Sequence, residues 1–322
     1  MSTVVLVGFG GIGTQDHQTD MYLPAFARHP AFTLVGTLGS ADPGGAEKAA
    51  KAASDHGLRH FTDPAEAFTA ADVVCVAAPI GLRGGIVADA VRAGKHVLAD
   101  KPLSASLTEA LRIQRLAAEH GVVVVPAHHI RLGGALRSAR AAVRAGRVGL
   151  PWNVQADFLV AGGDPSPLGE LVNLALYPVD AVCSILGLDV TRVYATGGPA
   201  LVTLMLDHPH GVTSTVVCGR TGTLHGLAPA GLATHRYRVS GSHGVLTVDA
   251  TKPALRVRTA ERQSTAWTGP GTVDALLDVL AAGIRTGRPE IGVADAVRTL
   301  RVIEAAQRSI DTGAPVHLEA DS

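Results

Sequence analysis

The sequence predicts an α/β chain with two domains: a doubly wound parallel sheet, then an α+β domain with a large, open and mostly antiparallel sheet. Residues 1–126 alternate short apolar runs with helical patterns, as repeated βα units do. In residues 127–322, strand-like runs follow one another with few helices between them. We therefore place the domain boundary between residues 126 and 127, with the final helix as a candidate to pack back on the first domain.

The first domain contains five predicted strands, which are short apolar runs. They are Val4–Val7, Phe32–Thr37, Val73–Ala77, His96–Ala99 and Val122–Pro126. The predicted helices between them are Ala46–Ser54, Pro64–Thr69, Gly84–Ala93 and Leu107–His120. Because the strands are apolar throughout, we expect helices on both faces of a parallel sheet. Ligands of such sheets bind at the carboxyl ends of the strands.

The second domain opens with the predicted helix Gly134–Ala145, the strand Pro151–Leu159 and a long helix, Gly169–Leu186. Five strand-like runs come next: Val190–Thr196, Ala200–Leu206, Gly211–Val217, His235–Ser240 and Gly244–Asp249. The predicted helices Val273–Gly283 and Val293–Thr312 follow. Apolar strands such as Val212–Val217 predict that the uncovered face of this sheet is a homodimer or homotetramer interface.

A glycine pattern follows the first strand directly. Val4–Val7 runs into Gly8, Gly10 and Gly13, which is a G-x-G-x-x-G spacing between a strand and a helix. Gly8 suits a tight turn, Gly10 leaves no Cβ against a pyrophosphate, and Gly13 allows close packing of helix and strand. The predicted cofactor loop is Gly8, Phe9, Gly10, Gly11, Ile12 and Gly13. This pattern predicts a dinucleotide-binding Rossmann domain, and a structural glycine turn is the alternative.

Composition excludes several classes of partner. The chain has 28 basic and 28 acidic residues, so the basic excess that nucleic-acid or anionic-membrane binding requires is absent. No apolar run approaches the ~20 residues of a membrane helix. The three cysteines are isolated in apolar surroundings, which indicates buried thiols in a reducing compartment. We therefore expect a cytoplasmic protein. Asp16, His17 and Asp20 match no metal-ligand spacing, and no metal site is predicted.

A lysine follows the strand His96–Ala99, in the segment Asp100-Lys101-Pro102. Its position at a carboxyl end points it at the ligand crevice, where partial burial lowers the pKa of an amine and suits it to proton transfer. A solvated surface lysine is the alternative interpretation.

The segment Ala93–Leu103 resembles the A-G-K-H-V-x-x-E-K-P signature of the glucose–fructose oxidoreductase/inositol dehydrogenase (Gfo/Idh/MocA) family. The resemblance extends to Gly146–Gly149, Thr286–Pro289 and Leu300–Ser309. It implies the two-domain fold, NAD(H) or NADP(H) as cofactor, sugars or cyclitols as substrates, and Lys101 as the catalytic lysine. Asp100 stands where the family usually has Glu.

A second family motif, D-x-G-x-H-x-x-D, corresponds to Asn173, Tyr177 and Asp180. Their spacing of four and three residues places them on one face of a helix. Tyr177 replaces the histidine, which resembles the tyrosine-containing branch and predicts a general acid/base tuned by Lys101. Asn173 would orient a substrate hydroxyl, and Asp180 would be an orienting acceptor or an alternative base. A buried tyrosine with a satisfied hydroxyl is the other interpretation of Tyr177.

The cofactor ribose is read about 20 residues beyond the glycines. The segment Thr37–Asp42 has no acid directly at the strand end, so Gly39 and Ser40 tolerate a 2′-phosphate and favour NADP(H) over NAD(H). The resemblance places Ala78 and Pro79 against the nicotinamide or its ribose.

Four further residues are candidates for substrate binding. Arg83 occupies a place where a histidine is common in the family, and His128, His129 and Arg131 follow the strand that ends at Pro126. The hypothesis is hydride transfer between a nicotinamide cofactor and a hydroxyl or oxo carbon of a sugar-like molecule, as a ketone reductase. The alternatives are an enzyme that uses bound NAD without net redox change, and a cofactor-binding regulatory protein with a decayed site.

Overall fold

The computed structural model describes residues 1–9, 16–221, 231–251, 255–258, 263–266 and 271–319. Contacts divide the chain into two compact units. The first comprises Met1–His129 and Val273–Val297, and the second comprises Ile130–Thr272 and Arg298–Ser322. The predicted fold class is confirmed, since the first unit holds a parallel sheet of six strands and the second a mostly antiparallel sheet of seven.

Strands and helices alternate along the first unit, and strands predominate in the second. The strands are β1 (Ser2–Val7), β2 (Phe32–Leu38), β3 (Arg59–Phe61), β4 (Val73–Val76), β5 (His96–Ala99), β6 (Val124–Pro126), β7 (Pro151–Ala161), β8 (Arg192–Gly197), β9 (Leu201–Asp207), β10 (Thr213–Thr221), β11 (Gly231–Gly241), β12 (Gly244–Asp249), β13 (Leu255–Arg258), β14 (Gln263–Ala266) and β15 (Val316–His317). The helices are α1 (Leu23–Arg28), α2 (Gly45–His56), α3 (Pro64–Thr69), α4 (Ile80–Arg92), α5 (Leu107–His120), α6 (Gly134–Arg144), α7 (Gly169–Asn173), α8 (Leu176–Leu186), α9 (Thr272–Thr286) and α10 (Val293–Thr312). A π-helical turn, Gln18–Tyr22, precedes α1, and 3-10 turns cover His129–Leu132 and Pro209–Gly211.

The sheet of the first unit has the strand order β3-β2-β1-β4-β5-β6, and all its pairings are parallel. Every residue of β4 is buried, as its unbroken apolar run predicts. The order reverses between β1 and β4, and a crevice for a ligand opens at such a point. The short edge strand β3 was not predicted, because Arg59-His60-Phe61 forms no apolar run.

The sheet of the second unit has the order β12-β11-β7-β10-β9-β8-β15. Its pairings are antiparallel except that of β7 with β10, so the sheet is mixed. Residues alternate between a buried and an open face: in β9, Val202, Leu204 and Leu206 are buried, whereas Met205 is 57% exposed. In β10, Val216 faces the core, so the open face carries Thr215 and Val217 and is less apolar than the sequence suggested.

Candidate active site

Gly8 lies at the carboxyl end of β1, next to the segment that follows β4. Its φ is +80°, and a Cβ at this position would lie 2.6 Å from the backbone N and Cα of Ala78. Its N–H donates to the carbonyl of Leu38 over 2.9 Å. Only glycine meets both requirements, which agrees with the predicted tight turn. Phe9 is fully buried. The predicted residues Gly10, Gly11, Ile12 and Gly13 lie outside the described residues.

The segment after β2 contains the residues predicted to face the cofactor ribose. Gly39 packs so tightly on α2 that a Cβ would lie 2.6 Å from the Cα of Ala46. The Ser40 hydroxyl donates to the carboxylate of Asp42. An acid therefore stands beside Ser40 even though none stands directly at the end of the strand. The residues directly at the strand end do not include Asp42, so its carboxylate was not part of the prediction.

Arg83 ties two turns at the carboxyl edge of the sheet together. This side chain of α4 is 6% exposed. Its Nε and Nη2 donate to the carbonyl of Ala78 over 3.1 and 2.8 Å, and its Nη1 donates to the carbonyl of Pro102 over 2.6 Å. Nη2 also reaches a carboxylate oxygen of Asp100 at 3.4 Å. Arg83 thus joins the turn before Pro79 to the turn after β5, while its contact with a substrate stays a prediction.

Asp100 and Lys101 are both buried directly after β5, at 5% and 6% exposure. The Asp100 carboxylate accepts a hydrogen bond from Tyr22 Oη at 2.9 Å and one from His17 Nδ1 at 2.8 Å. Burial opposes its charge, yet the Arg83 guanidinium, the bond from His17 and the Lys101 ammonium together lower the pKa of Asp100 well below its ordinary value. Asp100 is therefore a fixed anion beside Lys101.

Two histidines follow β6. His128 is buried and His129 is half-buried. Burial, aided by the charges of Lys101 and His17 and opposed by that of Asp100, lowers the pKa of His129 to about 4. At neutral pH, His129 is a neutral imidazole that can both donate and accept a hydrogen bond. The first unit thus gathers Asp100, Lys101, His17 and His129 at the carboxyl ends of β5 and β6.

The second motif lies on two helices in the second unit. The sequence predicted one helix from Gly169 to Leu186, and this is wrong, since α7 ends at Asn173 and α8 begins at Leu176. Pro178 has no N–H for the carbonyl of Leu174, which instead accepts from the N–H of Tyr177 at 3.0 Å. Tyr177 and Asp180, three residues apart on α8, share a face, whereas Asn173 comes from the preceding helix.

Asp180 forms a buried ion pair with Arg131. Arg131 Nη1 lies 2.8 Å from Asp180 Oδ1, and the side chains are 6% and 2% exposed. Two residues predicted separately, one as a base or acceptor and one as a substrate ligand, are therefore partners. Because Oδ1 of Asp180 already accepts from the Arg131 guanidinium, the contact favours the orienting role of Asp180 over the role of a base.

Asn173 is oriented by a carboxylate that the sequence prediction missed. Its Nδ2 donates to Oε2 of Glu170 over 2.8 Å. Glu170 is fully buried, and its Oε1 accepts from Arg220 Nε at 2.6 Å and from the N–H of Ser166 at 2.9 Å. The signal in the sequence was the spacing of three residues between Glu170 and Asn173, which places both on one side of a helical turn.

Tyr177 rests on a row of aromatic rings. It is 9% exposed, and its ring centroid lies 5.7 Å from that of Phe158. Phe158 contacts His235 at 5.1 Å between centroids, and His235 Nε2 lies 3.0 Å from the hydroxyl oxygen of Tyr237. Burial lowers the pKa of His235 to about 4 and raises that of Tyr237. This packing restricts the orientation of the Tyr177 ring.

The described residues were also compared with the requirements of a metal site and of a membrane-spanning helix. Among these residues, no group of three or more His, Cys, Asp or Glu side chains is arranged to hold a metal ion. In the same part of the chain, every helix is too short or too polar to span a membrane.

The comparisons with known proteins concern the family and the fold. Residues 2–128 match the model of an oxidoreductase family with an NAD-binding Rossmann fold. The first unit is thus similar to the Rossmann domain of NAD-binding oxidoreductases. The matched family is Gfo/Idh/MocA, which confirms over residues 2–128 the resemblance found in the sequence.

Individual relatives cover most of the chain. A dTDP-3,4-didehydro-2,6-dideoxy-alpha-D-glucose 3-reductase of Streptomyces violaceoruber is 28% identical over 289 residues, which cover 79% of this chain and 78% of the relative. A D-xylose 1-dehydrogenase (NADP(+)) of Haloferax volcanii is 27% identical over 276 residues, 77% of this chain and 81% of the relative. These relatives are sugar oxidoreductases by name.

Solved structures share the fold. An aldose-aldose oxidoreductase from Caulobacter crescentus, crystallised with glycerol, superposes with a TM-score of 0.81 at 23% identity. The superposition covers 98% of this chain and 99% of that chain. At this identity, the likeness concerns the fold, which extends over both units.

Proposed function

We propose that this protein is a cytoplasmic, nicotinamide-dependent reductase that acts on a carbonyl carbon of a sugar, a cyclitol or a sugar-derived small molecule. The observation that carries the proposal is the buried Lys101 beside the anionic Asp100, at the carboxyl end of β5. A buried ammonium at this edge of a doubly wound sheet is suited to stabilise negative charge on a substrate oxygen. The names of the two relatives support carbohydrate substrates, and the reductase from Streptomyces supports the direction.

The described residues fit a nicotinamide dinucleotide. The close approach of Gly8 to Ala78 leaves no room for a Cβ at Gly8, next to the point where the strand order reverses, and a pyrophosphate binds at such points. Phe9, Gly10, Gly11, Ile12 and Gly13 would complete the phosphate loop, Gly39 and Ser40 would hold the ribose, and Ala78 and Pro79 would border the nicotinamide. When bound, the nicotinamide supplies the hydride that reaches the carbonyl carbon.

The choice between the two cofactors depends on the segment after β2. The sequence favours NADP(H), because Gly39 and Ser40 follow the strand without an acid, and one relative is NADP-dependent by name. The carboxylate of Asp42 beside Ser40 favours NAD(H), since it would repel a 2′-phosphate and accept from ribose hydroxyls. We retain NADP(H) as the proposed cofactor, and direct comparison of the two cofactors tests it.

The proton chemistry is proposed for Tyr177 and Lys101. Tyr177 would donate its hydroxyl proton to the substrate oxygen as the carbonyl is reduced. Lys101 would stabilise the charge on that oxygen and on the tyrosinate that forms. Asn173 and the Arg131–Asp180 pair would orient substrate hydroxyls. His128, His129 and Arg83 would also border the substrate.

Oligomerisation through the open face of the second sheet is part of the proposal. Leu201 and Met205 on β9 are 41% and 57% exposed on that face. Exposed apolar side chains on a broad sheet favour association with a second copy, as a homodimer or a homotetramer.

Lys101→Ala tests the proposal. With NADPH and a panel of keto-sugars, keto-cyclitols and nucleotide-linked keto-sugars, the variant should lower kcat by about 100-fold or more, because the group that stabilises the oxyanion is lost. Cofactor affinity, measured by calorimetry, should change little. Lys95→Ala, at the opposite end of β5, is the matched control and should keep the parent kcat. A Lys101→Ala enzyme with the parent kcat would contradict the proposed chemistry.

A further inference from the structure

Both oxygens of the Asp100 carboxylate are held by one short segment of the chain. His17 Nδ1 lies 2.8 Å from Oδ2, and Tyr22 Oη lies 2.9 Å from Oδ1. His17 directly precedes the π-helical turn Gln18–Tyr22, and Tyr22 is the last residue of that turn. We call His17, Gln18 and Tyr22 the carboxylate clamp. Since Asp100 is an anion that only accepts, the Nδ1 of His17 carries the hydrogen.

The π-helical turn explains why residues five apart reach one carboxylate. The N–H of Leu23 donates to the carbonyl of Gln18, five residues earlier, and this wider turn brings side chains five residues apart closer to one side of the helix. In an α-helix, the same pair would point in directions well over 90° apart. Turns of this kind occur frequently at functional sites.

Gln18 anchors the clamp to the sheet. It is fully buried, and its Nε2 donates to the carbonyl of Val7 at 3.2 Å and to that of Cys75 at 2.9 Å. These carbonyls lie in the adjacent strands β1 and β4. The clamp is therefore fixed to the strands on which the proposed cofactor crevice depends, and its position is set by buried hydrogen bonds.

Several charged side chains surround Asp100 and Lys101. Asp100 interacts electrostatically with Arg83, His17 and Lys101, and His129 experiences the charges of His17, Lys101 and Asp100. Arg83 is committed to the carbonyls of Ala78 and Pro102. His17 is thus a strong contact of Asp100 from outside the β5 turn, because its 2.8 Å bond is shorter than the 3.4 Å contact of Arg83.

We propose that His17 is a positioning residue for Lys101 and acts through Asp100. This proposal rests on the proposed function only in naming Lys101 as the group that serves catalysis. Asp100 directly precedes Lys101, so a fixed carboxylate fixes the backbone from which the lysine side chain starts. Without the His17 donor, Oδ2 would lose its 2.8 Å bond to Nδ1, and the carboxylate could rotate towards the Lys101 ammonium. The Asp100 carboxylate would then attract the Lys101 ammonium away from its present position.

Two substitutions at one position separate the hydrogen bond from the side chain. His17→Asn keeps an N–H donor on the atom after Cγ, where Nδ1 stands in histidine. His17→Leu keeps a comparable volume and removes the donor. We expect kcat of the leucine variant to fall about 10- to 100-fold, with KM and cofactor affinity within about twofold of the parent. The asparagine variant should recover most of the parent kcat.

A second readout requires no substrate. The chain has five lysines, at positions 48, 51, 95, 101 and 252, so protein labelled with carbon-13 at lysine Cε gives a simple NMR spectrum. The Lys101 signal is assigned by its loss in Lys101→Arg. It should move in His17→Leu, keep its parent position in His17→Asn, and move less in Tyr22→Phe, which removes only a hydroxyl.

The outcomes separate the two proposals. A Lys101 signal that keeps its position in a folded His17→Leu protein would overturn the positioning role, whatever the enzyme catalyses. An equal loss of kcat in His17→Leu and His17→Asn would also overturn it, because the retained donor would then be irrelevant. If Lys101→Ala is fully active while the Lys101 signal responds to His17→Leu as expected, the proposed function fails and the clamp stands. If His17→Leu does not fold, His17→Gln, which lacks the δ donor, replaces it in both measurements.

Discussion

At the scale of single residues, Asp100 shows how a buried charge is compensated. A buried carboxylate is costly unless donors and cations compensate it, and His17, Tyr22, Arg83 and Lys101 do so in this protein. The same contacts that keep Asp100 charged also fix the turn that carries Lys101. The Arg131–Asp180 pair in the second unit follows the same rule, with the two charges enclosed together.

Buried histidines make the stability of the protein depend on pH. The folded pKa of His235 is lowered by burial to about 4, below the ordinary value of about 6.5. Between these values the unfolded chain binds the proton and the folded chain does not, so stability falls as the pH decreases through this range. From pH 7 to pH 5 the loss attributable to His235 is about 2 kcal/mol.

His235→Gln tests this residue, because glutamine retains an Nε2 next to Tyr237 and does not titrate. Urea titrations at pH 7 and pH 5 should show a smaller pH-dependent loss of the free energy of unfolding in the variant than in the parent. Equal losses in the two proteins would show that His235 is not responsible.

At the scale of elements, close packing of the backbone decides where two chain segments can approach each other. Gly8 and Gly57 both have positive φ, +80° and +63°. A Cβ at Gly8 would meet the backbone of Ala78 at 2.6 Å, whereas a Cβ at Gly57 would meet nothing within 4 Å. The two glycines therefore share one conformational requirement and differ in steric space.

Alanine at each position separates the two effects. Gly57→Ala should lower the free energy of unfolding by about 1 kcal/mol, the cost of the left-handed conformation. Gly8→Ala should lower the free energy of unfolding by about 3 kcal/mol or more, because the backbone of Ala78 must also move away from the new Cβ. The same substitution should abolish the binding of NADPH measured by calorimetry. Similar losses in the two variants would contradict the close approach of β1 and β4.

Sequence patterns predicted the elements well where one physical signal dominated. β4 is an unbroken apolar run, and β1 and β5 end in apolar runs, so their burial and parallel pairing could be predicted from the sequence. The edge strand β3 was missed because its pairing with β2 is set by tertiary context. The break between α7 and α8 was missed although Pro178 stood in the sequence, since the helical spacing of polar residues was given more weight.

The parts of the site that could not be predicted depend on contacts between distant segments. His17 and Asp100 are 83 residues apart, and Glu170 and Arg220 are 50 apart. No local pattern encodes such pairs. Lys101, in contrast, followed from the rule that ligands bind at the carboxyl ends of parallel strands, and it is buried in such a place.

For the whole molecule, the open face of the second sheet is the surface proposed for assembly. Met205→Asp places a charge on that face and should shift the protein to monomers, as measured by analytical ultracentrifugation. Leu150→Asp, which changes an apolar residue that is 73% exposed just before β7, is the control and should leave the assembly intact. A Met205→Asp protein with the parent mass would place the interface elsewhere.

The central claim is nicotinamide-dependent reduction of a carbohydrate carbonyl, and label transfer tests it most directly. The purified protein is incubated with NADPH or NADH carrying deuterium at the transferable position, together with the panel of keto-sugars and keto-cyclitols. We expect a product with deuterium on the carbon that bears the new hydroxyl, formed faster from NADPH and lost in Lys101→Ala. A folded protein that transfers no label from either cofactor to any member of the panel would contradict the claim.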